Sequence, residues 1–269
     1  MQKYKLDKVF TVGTDYRAET DKGLQILAVG TDDTVALTVK VAGAPCLELC
    51  DGMAPLAKNT ASLLGPLELG DEFIVVPPTK VLQFSGTSGK LVRLLGYVIE
   101  LEPGEKFPSE LMARYEAQKN VFMSYLKGAA TPGENAAWAN GVELTAIEWT
   151  CPTAERWLFA HAITAAGEQN AWGDKYGKCV IRVYLDDKPL DLLSTTMGPK
   201  GLDAQAMKHP YPAASNMEIV TFKDRPIVVE AGHVLKVTAQ NVSGSDWAAP
   251  GSGLYNRVTV RLIGRREYL

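Results

Sequence analysis

The sequence predicts an all-β protein of two β-rich domains, the C-terminal one an antiparallel sandwich, with one connecting α-helix. Three observations lead there. Thr34–Val41 alternates strictly, with Val35, Leu37, Val39 and Val41 on one face and Thr34, Ala36, Thr38 and Lys40 on the other. Arg225–Gly244 reads as strand, tight turn at Glu230-Ala231-Gly232, strand and turn, and Asn256–Ile263 follows as a further strand. One stretch alone, Pro108–Lys127, carries helical spacing, in Leu111, Met112, Tyr115, Phe122, Tyr125 and Leu126.

Taken in order, Val9–Val12 and Leu24–Val29 are short extended segments, preceded by a polar arm, Met1–Phe10. After the alternating strand come Ala44–Cys50, Asp71–Val76 stopped by Pro77-Pro78, Lys80–Phe84, the turn Ser85–Gly89, and a long strand Lys90–Leu101 with Gly96 as a candidate bulge. About seven strands therefore precede residue 102, enough for an N-terminal β domain over 1–107. Pro108 and Glu110 mark a helix start, and Gly128 a stop. Gly128–Asn135 has linker composition, so 108–135 is read as helix and linker. The C-terminal domain, 136–269, adds Val142–Thr150, Arg156–Thr164, Lys178–Leu185 and Met217–Phe222. Asp186–Pro189 is a turn, and the irregular run 194–214 is long for a simple connection, which marks it as a surface excursion.

The chain has 269 residues, 46% hydrophobic and 22% charged, which is the composition of an ordinary globular protein. A formal net charge of -3 supplies no basic surplus for nucleic acid. No run approaches the roughly 20 apolar residues of a membrane helix, and Met1–Phe10 lacks the apolar core of a signal peptide, so the expectation is a protein made in a cytoplasm without a membrane partner.

Chemistry-bearing constellations are sparse. Cys46 and Cys50 are the only closely spaced pair among the four cysteines; on a strand they stand roughly 13 Å apart, too far to ligate one ion or form a disulfide. Cys179 reads as core-facing, and pairing of Cys151 with Cys179 stays open. His161, His209 and His233 are scattered, so no metal site is expected. Gly-x-Ser-x-Gly and phosphate-loop patterns are absent, Asp32-Asp33 and Asp186-Asp187 fall in turns and read as solvated, and neither catalytic residue nor cofactor is expected. All five tryptophans lie in the C-terminal half; Trp172 and Trp247, in loop-like surroundings, are candidates for a sugar-stacking platform, with packing in a core as the plainer account. Asn241-Val242-Ser243 matches a glycosylation sequon and is read as chance. Arg265-Arg266 either meet an acidic neighbour or are solvated.

The closing pattern resembles the jelly-roll and related β-sandwich modules of tailed-bacteriophage virion proteins. The residues that carry the resemblance are Arg225–Gly232, Leu235–Thr238, Asn241–Ser243 and Val258–Gly264, about 40 residues of the chain. Gly70–Val76 and Leu95–Gly104 resemble a small virion β domain less distinctly. The resemblance implies a jelly-roll-like C-terminal sandwich and a non-enzymatic structural role on a virion assembled in a host cytoplasm: a capsid decoration or cement protein, or a head-vertex or collar auxiliary. It implies the major capsid protein or other virion proteins as partners, and a homo-oligomer, commonly a trimer. Contacts in such proteins run through termini and extended loops, which here selects Lys3, Tyr4, Lys5 and Phe10 in the N-terminal arm and Lys200, Met207, His209 and Tyr211 in the 194–214 run. The competing expectation is a carbohydrate- or receptor-binding sandwich, and an esterase-like enzyme on the same scaffold comes third.

Overall fold

A computed structural model describes residues 1–50, 53–57, 65–168, 171–172, 178–190, 202–203, 218–221 and 226–269. The chain is built from strands, with one α-helix among the described residues, and it divides into two compact units. The first takes the described residues up to Tyr125 together with Arg265–Leu269; the second takes those from Leu126 to Gly264.

In the first unit the strands are β1 (Gln2–Thr11), β2 (Tyr16–Arg17), β3 (Lys22–Thr31), β4 (Ala36–Val41), β5 (Ala44–Cys50), β6 (Leu67–Glu68), β7 (Ile74–Val76), β8 (Val81–Ser85) and β9 (Leu91–Glu100). Helix α1 (Ser109–Ala117) follows, and then β10 (Val121–Ala130), which passes from the first unit into the second. One sheet runs β1-β9-β3-β6, with β7 also on β3; the other runs β10-β5-β4-β8-β2. Leu37, Val39 and Val41 are buried as their alternation requires, together with Ile26, Val29, Leu47, Leu49, Ile74, Leu82 and Leu94. Val35 departs from the pattern: the strand begins one residue later, and Val35 is 66% exposed on the turn before it.

Strand β1 reaches well beyond the Val9–Val12 segment expected from sequence. It pairs antiparallel with β9 over its whole length, from Gln2 opposite Glu100 to Thr11 opposite Leu91. Its first half alternates only briefly in the sequence, Tyr4 and Leu6 between Lys3, Lys5 and Asp7, and of these Leu6 alone is buried; the backbone ladder holds it. The irregularity expected at Gly96 lies opposite it instead, in β3, where the register shifts between Ile26 and Ala28 and leaves Leu27 as the extra residue. Gly96 permits this close approach, since a Cβ there would stand 2.0 Å from the Gln25 carbonyl oxygen.

The expected helix over 108–127 is corrected: it ends at Ala117, and Phe122, Tyr125 and Leu126 belong to β10. Two side chains fasten α1 to the start of β7. Arg114 donates from Nε to the Phe73 carbonyl at 2.8 Å and pairs with Glu72 at 2.9 Å. Gln118, fully buried, accepts from the Val75 N–H at 2.8 Å and donates to the Val75 carbonyl at 2.9 Å, so its amide pairs with β7 as a neighbouring strand would. Gly128 is a strand residue of β10 and not a helix stop. A Cβ there would lie 1.9 Å from the Ala146 carbonyl oxygen, which is why only glycine fits beneath the crossing strand.

The second unit contains β11 (Glu143–Thr150), β12 (Glu155–Glu168), β13 (Ala171–Trp172), β14 (Cys179–Leu185), β15 (Lys188–Pro189), β16 (Leu202–Asp203), β17 (Glu218–Thr221), β18 (Ile227–Val229), β19 (Val234–Asn241) and β20 (Asn256–Tyr268), whose last residues return to the first unit. One sheet is β11-β19-β14-β15 with β16 on β14; in the other, β12 carries β13, β17 and β18 and neighbours β20, which neighbours β10. Leu235, Val237 and Ala239 of β19 and Cys179, Ile181 and Val183 of β14 join Trp157 and Phe159 of β12 and Val258, Val260 and Leu262 of β20 in one apolar core. All pairings of β11, β14 and β19 are antiparallel, as the sandwich expectation requires.

Candidate functional site

The N-terminal segment that the sequence singles out is strand β1, and its side chains divide by parity. Tyr4, Leu6, Lys8 and Phe10 share one face; Lys3, Lys5, Asp7 and Val9 share the other. On the first face Phe10 is an anchor: its ring packs on Tyr16 at 5.4 Å and Phe84 at 5.6 Å, while Lys8 Nζ lies 5.2 Å from the Phe10 ring and 4.9 Å from that of Tyr16. Leu6 is buried beside it. Tyr4, by contrast, is 47% exposed. A concavity of about 350 Å³ between Tyr4, Phe10, Tyr16, Leu24 and Val98 is bordered by Lys8, Glu19, Lys22 and Glu100.

On the second face Lys3 Nζ stands 5.1 Å over the half-exposed Tyr97 ring and 3.1 Å from the Gln25 side-chain oxygen. Asp7 takes two bonds from Arg93, from Nε and from the terminal nitrogen, both at 2.8 Å. That fork, the largest influence on it, holds the Asp7 carboxyl below the usual carboxylate range. Lys5 is exposed, and Val9 is 50% exposed. Among the described residues β1 pairs with β9 alone and ends its sheet, so its other backbone edge is open. Lys3, Tyr4 and Lys5 are thus brought together on this edge strand, and Phe10 closes its far end. Lys200, Met207, His209 and Tyr211 lie outside the described residues.

The tryptophans are placed differently. Trp247 is 3% exposed and packs on Trp138, ring centroids 5.1 Å apart, with reciprocal backbone bonds between the two residues. A ring covered in this way offers no open face to a sugar. Trp172 is described by its backbone, opposite Gly167. Trp149, Trp157 and Phe159 form a second aromatic group in the same unit.

Several polar groups read from sequence as solvated or incidental bind the fold together. Asp33 is 3% exposed: its carboxylate accepts from Val35 N–H at 2.9 Å, Thr87 N–H at 2.7 Å and the Thr87 hydroxyl at 3.1 Å, while Asp32 accepts from Leu91 N–H at 2.6 Å. Burial pushes the Asp33 carboxyl up, but the Thr87 and Val35 donors together with Lys90 outweigh it, and its pKa ends below the usual value. Asp186 and Asp187 both take left-handed backbone, φ 48° and 62°, in the two-residue turn from β14 to β15. Asp186 accepts from Val234 N–H at 2.9 Å and lies 2.5 Å from His233 Nδ1, and these bonds, the backbone one foremost, lower its pKa. Arg265 and Arg266 meet acidic neighbours, Glu72 and Glu267 for the first and Glu48 for the second, and the Ser124 hydroxyl donates to the same Glu48 oxygen.

The sequon asparagine is also spent internally. Asn241 donates to the Trp138 and Ser245 carbonyls at 2.8 and 3.0 Å and accepts from Ser243 N–H and hydroxyl at 3.0 and 2.8 Å, which uses both its donors and both its acceptor positions. The four cysteines are buried thiols. Burial pushes the Cys46 thiol up, so it is neutral and inert. Among the described residues no three His, Cys, Asp or Glu side chains converge as metal ligands, and no helix is long and apolar enough to cross a membrane.

No protein-family model matches the chain, and no curated protein matches it. Among solved structures, the crystal structure of the STIV MCP aligns at 9% identity over 98% of this chain and 97% of that one, with a TM-score of 0.42. The atomic structure of Sulfolobus Turreted Icosahedral Virus aligns at 8% identity over 98% and 91%, with a TM-score of 0.40. A serine protease of Aeromonas sobria aligns at 9% identity over 81% of this chain and 34% of that one, with a TM-score of 0.27. At these scores the likenesses carry no argument, and the functional reading rests on the chain's own residues.

Proposed function

We propose that the chain is a non-enzymatic structural protein of a virus particle, a capsid decoration or cement protein or another head auxiliary, assembled in a host cytoplasm, that attaches to the particle surface and self-associates. One observation carries the reading: strand β1 is laddered firmly to β9 yet carries exposed side chains on both faces and, among the described residues, an unpaired backbone edge. A strand that adds little to its own core is free to contribute surface to another protein. The sequence resemblance at Arg225–Gly232 and Val258–Gly264 supports the virion setting, and the major capsid protein is the partner it implies.

In this reading Lys3, Tyr4 and Lys5 contact the particle from β1, and Lys200, Met207, His209 and Tyr211 contribute from the 194–214 run. Several modest contacts repeated over a particle give firm attachment without any single strong one. The test is co-sedimentation of the purified chain with particles from the source of the sequence. Saturable binding is expected, weakened about tenfold or more by joint Lys3→Glu and Tyr4→Ala substitution. A chain that stays at the top of the gradient at every concentration contradicts the reading.

A further inference from the structure

We propose that the open edge of β1 pairs with β1 of a second copy of this chain, antiparallel and in one register, with Leu6 opposite Leu6 on a two-fold axis. The inference goes beyond the attachment reading and does not depend on it, because self-pairing would hold equally for a protein of another function.

Two copies of one strand related by a two-fold axis perpendicular to the sheet keep each side chain on the same face, so only residues of like parity can stand opposite each other. With Leu6 on the axis, Lys5 faces Asp7 of the second copy and Asp7 faces its Lys5, Tyr4 faces Lys8 and Lys8 faces Tyr4, Lys3 faces Val9, and Gln2 faces Phe10. Opposite charges meet twice on one face and a cation meets an aromatic ring twice on the other, with no like charges directly opposed. The pairing also uses nine of the ten residues of β1, the most that like parity allows.

Neighbouring registers fail on charge. Moving the axis to Lys5 sets two lysines against each other, and moving it to Asp7 sets two carboxylates against each other. Placing it at Tyr4 opposes Lys3 to Lys5, and placing it at Lys8 opposes the two Lys8 side chains. Charges on an edge strand ordinarily keep it solitary; here the Leu6 axis pairs nine residues without opposing like charges, whereas the other charge-free registers, centred on Val9 or Phe10, pair about five residues or fewer. The Arg93 fork also fixes Asp7 as a carboxylate on the strand, ready for the incoming lysine. The arrangement is two-fold, in place of the trimer that the sequence resemblance implies.

The experiment uses the full chain in sedimentation equilibrium over a concentration series, with circular dichroism to show that each variant is folded. A reversible dimer is expected for the parent. Lys5→Asp alone and Asp7→Lys alone each place like charges opposite one another, and each should weaken the dimer at least tenfold. An equimolar mixture of the two variants should form the mixed dimer, because the two carboxylates of the first variant then face the two ammonium groups of the second. Register is read by cross-linking under mild oxidation: Leu6→Cys should link to itself, whereas Lys5→Cys should not, and the four native thiols are buried. A parent that is monomeric throughout, a Lys5→Asp dimer as tight as the parent's, or self-linking of Lys5→Cys in place of Leu6→Cys overturns the proposal. A monomeric parent would also remove self-association from the proposed function, whereas attachment is read independently by co-sedimentation of the parent with particles, so failure of the pairing and failure of attachment are distinguishable.

Discussion

Asp33 shows what a single residue contributes. Its carboxylate gathers three donors from the turn before β4 and the turn after β8, and Gly86 beside it has no room for a side chain: a Cβ there would stand 2.7 Å from both Ala36 O and Asp33 Oδ2. Replacing Asp33 by Ala leaves the Val35 and Thr87 N–H groups without this acceptor and should cost about 2 kcal/mol, read as a fall in the urea midpoint. The sign of the pH effect follows from the lowered pKa. The native state prefers the ionised form, so the contribution is present above the unfolded carboxylate pKa of about 4 and is lost as pH falls through the lower native value. The parent should therefore lose more stability than Asp33→Ala between pH 6 and pH 3; parallel pH profiles would refute the role given to Asp33. At this scale the sequence was only partly legible. Two adjacent aspartates in a turn look alike as letters, and only the folded connection between the two sheets shows that one of them is enclosed.

At the scale of elements, strands were legible where one face is buried and the other is not. The alternation over β4 and β14 is a direct print of that difference, whereas β1 sets only Tyr4 and Leu6 between charged residues and buries Leu6 alone, and two-residue strands such as β2, β6 and β13 are too short to show any period. The helix was overextended because Phe122, Tyr125 and Leu126 recur at helical spacing, although they lie on a strand in which Phe122, Met123 and Ser124 are buried in succession. What fixes α1 in place is Arg114, whose side chain and that of Glu72 are nearly covered. Arg114→Ala leaves Glu72 with Arg265, 3.5 Å away and half-exposed, as its counter-ion and should cost about 2 kcal/mol, while Arg114→Met combined with Glu72→Met should recover most of the loss. Equal destabilisation in the single and paired variants would show that the ion pair is not what holds the helix. Gly128 gives the complementary test in the second unit: Gly128→Ala drives a methyl into the Ala146 carbonyl and should lower stability by about 1–3 kcal/mol, and a variant as stable as its parent would place β11 farther from β10 than described.

For the whole molecule, the fold class was readable because turn residues and β-branched runs recur at short spacing through most of the chain, and the all-β architecture with a sandwich in its C-terminal part follows from them. The proposed contact surface was legible only as a position in the chain. Lys3, Tyr4 and Lys5 were singled out as part of a polar arm, but that the arm is an edge strand with one backbone edge open is a property of its pairing with β9, some ninety residues later, and no local pattern encodes it. The tryptophans illustrate the converse: Trp172 and Trp247 were candidates for a stacking platform with core packing as the plainer account, and Trp247 packs in the core with Trp138 and Trp157. Attachment to a virus particle can be seen by cryo-electron microscopy of particles purified from the source of the sequence. Density for the chain is expected at repeated surface positions, with the β1 side of the first unit turned toward a neighbouring protein. Fully resolved particles without that density, and the chain recovered wholly in the particle-free fraction, would contradict it.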